Sequence, residues 1–384
     1  MSAIRTLVLS GGGGRGAFHA GVYQYLSQRQ KLGVDQVHQA AWDPEIIVGT
    51  SIGAVNGAAI AQGLDAERLV AIWKGLREKD IEGIPPTMSW LSRTVANSIL
   101  KGLIGVKLPS PLEDNATSMP PHPAWNIIPG LGKMADRLLG RWNNLLDTGP
   151  LKRSMLDTFG LDESMIASSE KTLLINATRV DTGERKTFSN KMIQRRSLGS
   201  PRTDVSQGIT IERILASCSI PIVYPWTYDQ ATKAYYWDGA VVANTPLGVA
   251  MDAAGDRPAE EPMEVVVVLM TPWREDPSDM ASPADPQLPN DFGEAVTWAL
   301  DWALLASFRE RLNLIKAYNR LARIGRETND PQMRQYREVQ VVIVAPDDFF
   351  PAARILDYDE RSSQLIEMGH QAAEKAFQQA FPAA

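Results

Sequence analysis

With a single cysteine, Cys218, no disulfide can form within the chain, and its small-residue setting between Ala216 and Pro221 predicts a buried structural thiol. Histidine is almost as scarce. There are four, His19, His38, His122 and His370, so any chemistry that rests on imidazole has few candidates. Neither CxxC nor HExxH spacing occurs, and no cluster of hard-cation ligands is visible, so no metal and no other cofactor is expected. No apolar run approaches the ~20 residues that span a bilayer, and the opening apolar stretch is too short for a secretory signal. The expectation is a cytoplasmic chain that touches membranes peripherally if at all. Long basic runs are missing too, and at a net charge of −6 nothing favours a nucleic-acid partner.

What is present is enough apolar material, 44% of 384 residues, to bury a large core. Length would allow two or three domains. No internal repeat or domain-sized linker divides the chain, so one domain over 1–384 is expected. Apolar, β-branched runs predict strands at 4–10, 46–50, 171–180, 264–270 and 339–345, with a short aromatic strand at Tyr235–Trp237. Helices are expected near 17–30, 65–79, 149–159, 210–216, 291–324 and 359–381, and polar connections at 190–208 and 272–290. In the long helix the stripe Val296, Leu300, Leu304, Phe308, Leu312 and Ile315 reads as core. Residues 83–149 break the alternation with Pro, Gly, Asn and Trp and read as a lid-like helical insertion. Within it Met88, Leu91, Val95, Ile99 and Leu103 form an apolar stripe beside Trp90, and the charges nearby, Arg93, Lys101 and Lys107, are all positive. Such a segment, 88–106, has the makings of a peripheral membrane contact.

Two stretches carry chemistry. In the first, Ile46–Gly57, an apolar strand runs into G-x-S-x-G and a small-residue helix, which puts Ser51 on a tight turn at the carboxyl end of a strand. Gly49 and Gly53 leave the room such a turn requires. In the second, Gly11–Gly16, four consecutive glycines precede Arg15 and Gly16, so a backbone must come close to something there. A phosphate is one candidate, since Gly11, Gly13 and Gly16 fit G-x-G-x-x-G with Asp35 downstream. An acyl-transfer oxyanion held by loop N–H groups opposite Ser51 is the other. Further on, Asp238 ends the aromatic strand and is followed by Gly239, where sheet edges hold ligands and catalysts. A serine needs a base. Ser51, Asp238 and His370 stand in the order of an α/β-hydrolase triad, yet His370 falls inside a predicted helix; a buried carboxylate can take the proton directly instead.

The order and spacing of these blocks resemble the patatin-like phospholipases. Gly11–Gly16 is similar to that family's oxyanion loop and Gly49–Gly53 to its nucleophile elbow. Ala216–Pro221 resembles the block before the acid, with Ser219 and Tyr224 where alanine and phenylalanine are more usual, and Asp238-Gly239-Ala240 resembles the D-G-[GA] block. Leu365–Gly369 resembles the closing helix, which would make His370 structural. The resemblance implies a three-layer α/β/α fold around a mostly parallel sheet and a lipid acyl hydrolase acting on lipid esters. It further implies a Ser51–Asp238 dyad, oxyanion donors at Gly12, Gly13 and Gly14, and support from Arg15, Gly16, Gly49, Gly53 and Gly239. A triad esterase and, more distantly, a nucleotide-binding module are the alternatives.

Overall fold

The computed structural model describes residues 3–28, 42–83, 144, 146–195, 200–255, 257–273, 288–289, 292–350, 358 and 361–381. Eleven strands are found among them: β1 Ile4–Leu9, β2 Ile46–Thr50, β3 Thr172–Arg179, β4 Arg185–Ser189, β5 Gln194–Arg195, β6 Ser200–Pro201, β7 Val205–Gln207, β8 Thr227–Asp229, β9 Ala234–Asp238, β10 Met263–Val268 and β11 Val339–Val344. The main sheet runs in the order β11-β10-β1-β2-β3-β4-β7, and from β11 to β3 every pairing is parallel. β4 and β9 then join β3 antiparallel, and β8 pairs with β9.

A parallel sheet must be covered on both faces, and the alternation of its strands shows two buried faces rather than one. Leu7 and Leu9 of β1, Ile47 of β2 and Val266 and Val268 of β10 enter one core, with helices Ala17–Gln28, Ile52–Ala61, Ala66–Gly75 and Ser362–Ala380. Ile4 and Val8, Ile46 and Val48, and Met263, Val265 and Val267 enter the other, covered by helix Leu247–Ala253 and the long helix Phe292–Thr328. The architecture is therefore a mostly parallel central sheet with flanking helices. Helix starts are locally encoded: Asp65 accepts from the Arg68 amide at 2.7 Å, and Asp162 and Thr210 cap their helices in the same way.

Three expectations need correction or bounds. The polar stretch 190–208 is not a plain linker, because β5, β6 and β7 form within it. These strands are two or three residues long and lie at or beyond the sheet's edge, so no buried face imposes an apolar alternation on them. The long-helix stripe is core only from its middle onward: Phe308, Leu312 and Ile315 are buried, whereas Leu300 is 59% exposed and Leu304 half-buried. Most of the 83–149 insertion, including the 88–106 stripe, lies outside the described residues. Its ends are joined, since the Asp147 amide donates to the Gly83 carbonyl at 2.7 Å and the Leu146 amide to that of Val223 at 2.8 Å.

Candidate active site

β2 ends at Thr50, and Ser51 takes φ 56° and ψ −129° before helix Ile52–Ala61 begins. A non-glycine residue there is strained by roughly 1–3 kcal/mol, and the surroundings must hold it. Space is made by its two glycines. A Cβ on Gly49 would stand 2.4 Å from the Gly53 carbonyl oxygen, and one on Gly53 2.3 Å from that of Leu9. The Ser51 amide donates to Ser217 Oγ at 2.8 Å, and that hydroxyl donates onward to the Asn176 carbonyl at 2.6 Å. Ser217→Ala would leave a buried N–H without its acceptor. We expect a loss of about 1–3 kcal/mol, read by urea denaturation; an unchanged midpoint would show that the strained turn holds itself.

Strand register brings the acid to the serine. Along one edge of β3, Asn176 pairs with Thr50 of β2, and the next residue, Ala177, pairs with Asp238 of β9. Ser51 and Asp238 are thus delivered to the same spot by neighbouring positions of a third strand. Ser51 and Asp238 line the same cavity, and the serine side chain lies close enough to the carboxylate to pull its proton affinity down as a donor does. Asp238 is itself fixed: its amide donates to the Ser219 carbonyl at 2.8 Å, its carbonyl accepts from Thr178 Oγ1 at 2.9 Å, and its Oδ1 accepts from the Ala240 amide at 2.8 Å. Gly239 is pressed against β3, where a Cβ would stand 2.2 Å from the Asn176 carbonyl oxygen. Burial pushes the Asp238 carboxyl up to about 7, against the weaker pull of the Ser51 side chain and the Ala240 amide.

The glycine loop forms a 3-10 turn, Gly13–Gly16, entered from Gly12, and Gly13 takes a φ of 56° that only glycine adopts freely. Gly13 and Gly14 stand in its first turn, whose N–H groups have no partner within the helix. Gly11 is different, since its amide is taken by Asn244 Oδ1 at 2.6 Å. Arg15 is buried and turned back on the loop: Nε donates to the Gly12 carbonyl at 3.2 Å, and Nη1 reaches the Met270 carbonyl at 3.3 Å and both Asp301 oxygens at 3.4 Å. Asn56 holds the far end by donating to the Gly16 carbonyl at 3.0 Å.

Ser51, Asp238 and Gly11–Gly13 share a cavity of about 560 Å³, within the usual range for small-molecule sites. Its walls are apolar, from Ile220, Pro221, Val241 and Val242 on one side and Leu300 and Leu304 of the long helix on the other. That position explains why the start of the helix stripe is not core. No histidine lines the cavity among the described residues. His370 sets its ring edge-on against Tyr25 at 5.4 Å, and His19 is buried beside Asn56 with its ring pushed down to about 3 by desolvation. His38, His122 and Asp35 lie outside the described residues. Cys218 is buried and free, its thiol pushed up first by burial and then by the Asp238 charge.

Four residues of this site carried no assigned role in the sequence reading: Ser217, Asn176, Asn244 and Asp301. Ser217 and Asn244 sit in short blocks beside recognised motifs, so proximity was a usable signal. Asn176 lies inside an apolar strand and Asp301 beside an apolar helix stripe; a polar residue at a core position was the only mark of either.

The family model described as "Patatin-like phospholipase" matches residues 7–251. Among solved structures the chain is similar to VipD from Legionella pneumophila, at 12% identity and a TM-score of 0.35, over 98% of this chain and 67% of that one. It is also similar to ExoU in the ExoU–SpcU complex from the type III secretion system of Pseudomonas aeruginosa, at 15% identity and a TM-score of 0.36, over 100% of this chain. The chain spans about half of that chain's length, 52%. No curated protein matches it. The family model covers well over half of the sequence and takes in the glycine loop, the serine turn and the acid block; the chain belongs to the patatin-like phospholipase family.

Proposed function

We propose that the protein is a serine lipid acyl hydrolase in which Ser51 is the nucleophile and Asp238 the general base. The observation that carries this reading is that strand register brings Ser51 and the buried Asp238 together in the lining of one apolar cavity, with the acid's affinity for protons raised to near neutrality. Ordinarily a carboxylate is too weak a base to deprotonate serine. At about 7 it approaches the basicity usually supplied by imidazole, so no histidine is required.

In the first half-reaction Ser51 Oγ attacks the ester carbonyl carbon while its proton passes to Asp238. The carbonyl oxygen takes up the negative charge and is received by the amides of Gly12, Gly13 and Gly14, each donor being worth about 2.7–4 kcal/mol. Collapse breaks the bond to the alcohol oxygen, which leaves with the proton from Asp238. Water then replaces the alcohol, gives its proton to Asp238 and attacks the acyl-enzyme. The second collapse releases the fatty acid and returns the proton to Ser51.

Two measurements test this. A fluorophosphonate should label the wild-type protein on the peptide containing Ser51 and leave Ser51→Ala unlabelled; labelling elsewhere with turnover retained would overturn the assignment. With a soluble short-chain ester, kcat/KM should rise with pH along a single limb centred near 7, because only the ionised carboxylate accepts the proton. A profile flat from pH 5 to 9 would remove Asp238 as base.

A further inference from the structure

The β8–β9 hairpin does more than deliver Asp238. We infer that its outer face, together with the apolar rim of the cavity, is a surface that docks on lipid bilayers, an inference that rests on the hydrolase reading above and identifies where its substrate is met. The first observation is position. β9 runs down an extension of β3 beyond the end of β2: the Val180 amide donates to the Tyr235 carbonyl at 2.9 Å, four residues past Asn176, which is level with Thr50. At ~3.3 Å per residue the hairpin therefore stands roughly 13 Å beyond the serine turn, at the same, carboxyl end of the sheet.

The second observation is what it carries. Tyr228 and Tyr235 are paired across the hairpin and half-exposed with rings 4.9 Å apart, and Trp226 meets Tyr235 at 6.3 Å. Amphipathic aromatics in such a cluster suit the boundary between head groups and acyl chains. On the rim Ile222 is 74% exposed and held at φ 72°, a conformation that a β-branched residue adopts only under constraint. Val241 and Val242 are exposed too and line the cavity together with Ile220 and Pro221, the residues just before Ile222.

Charge decides between a lipid surface and an ordinary protein partner. From Ser219 to Leu247 the sequence has only three charged residues. Asp229 is buried against Arg213, and Asp238 is buried at the dyad. Lys233, on the hairpin turn, is the exposed one. In a chain of net charge −6, the hairpin segment exposes one lysine and no acid of its own. In the adjoining β3–β4 turn Arg179 pairs with Asp181 at 2.7 Å and leaves Glu184 as the nearest exposed acid. A face so low in acid is compatible with an anionic bilayer. Continuity with the cavity gives the docking a purpose, since an acyl chain leaving the bilayer would pass from apolar rim to apolar wall without crossing water.

The test compares Ser51→Ala protein with the same protein carrying Trp226→Ser, Tyr228→Ser and Tyr235→Ser, by co-sedimentation with phosphatidylcholine vesicles containing phosphatidylglycerol. Binding by the parent and a loss of at least tenfold in the triple variant are expected. In an active background the triple variant should hydrolyse a monomeric soluble ester normally and vesicle phospholipid at least tenfold more slowly. Should the triple variant misfold, Lys233→Glu serves alone, with affinity for anionic vesicles falling roughly fivefold and binding to neutral ones unchanged. A parent that ignores vesicles, a folded triple variant that binds them as well as the parent, or a triple variant whose only defect is loss of self-association would each overturn the inference. Vesicle binding without any ester hydrolysis by the wild-type protein would instead overturn the hydrolase reading and leave the docking face standing.

Discussion

Asp238→Asn is expected to lower turnover of a soluble ester by about 10²–10⁴-fold while making the protein more stable at pH 8. The first effect follows from the amide's inability to take the serine proton. In the proposed mechanism serine and base act as one unit, so Ser51→Ala combined with Asp238→Asn should be scarcely worse than either alone. The second effect follows from linkage. An Asp whose folded-state value is raised to about 7 from 3.8 contributes stability that is full below pH 4 and lost as pH rises through 7. Above that point the wild-type fold carries an ionised, desolvated carboxylate at a cost on the order of 4 kcal/mol. Asparagine removes that cost, and its carbonyl oxygen can still accept from the Ala240 amide, which now donates to Oδ1. Thermal melts across pH 5–9 would check this. The stability of wild type should fall toward alkaline pH and that of Asp238→Asn should stay level; parallel curves together with retained turnover would remove Asp238 from the mechanism.

Asp301→Ala should cost about 3–5 kcal/mol of stability and roughly 10²–10³-fold in kcat. Arg15 and Asp301 are buried together, with side chains 4% and 3% exposed. Burial raises the Asp301 carboxyl more strongly than the Arg15 charge lowers it, so desolvation outweighs attraction at this carboxylate. Such a pair is a poor source of stability but a severe liability when halved. Its effect lies in position: it ties the carbonyls of Gly12 and of Met270, just past β10, to the long helix. Removing both charges, as in Arg15→Met with Asp301→Leu, is therefore expected to recover most of the stability lost in Asp301→Ala. Activity should stay low in the double variant, because the glycine amides are no longer held. Equal recovery of both properties would mean that the ion pair has no part in setting the oxyanion loop. Soluble-ester kinetics and urea denaturation on the same preparations separate the two.

Features set by a few neighbouring residues could be read from the sequence alone. The serine turn is one, because glycine at 49 and 53 and a small-residue helix leave little else for Ser51 to do. The glycine loop is another, as are the helices that start near Asp65 and Thr210 and the buried strands, whose apolar runs report two covered faces; the short helix capped by Asp162 is not among them. Even the family was legible, since it rests on short blocks in a set order. What the sequence could not supply was which distant groups meet. Ser51 and Asp238 come together through successive residues of β3, and a slip of one position in that register would turn Asp238 to the opposite face. Asn244 taking the Gly11 amide, Ser217 taking the Ser51 amide and Asp301 pairing with Arg15 across 286 residues are likewise matters of tertiary contact. The short polar strands β5 to β7 escaped notice because edge pairing imposes no apolar period. The start of the long helix departs from its apolar pattern for the opposite reason: apolar spacing reports that a face avoids water, and a cavity wall near Leu300 and Leu304 produces the same spacing as the core beneath Phe308. Local chemistry chose the turns and the periodicities; only the packing of strands and helices decided which polar groups would face one another in a space closed to water.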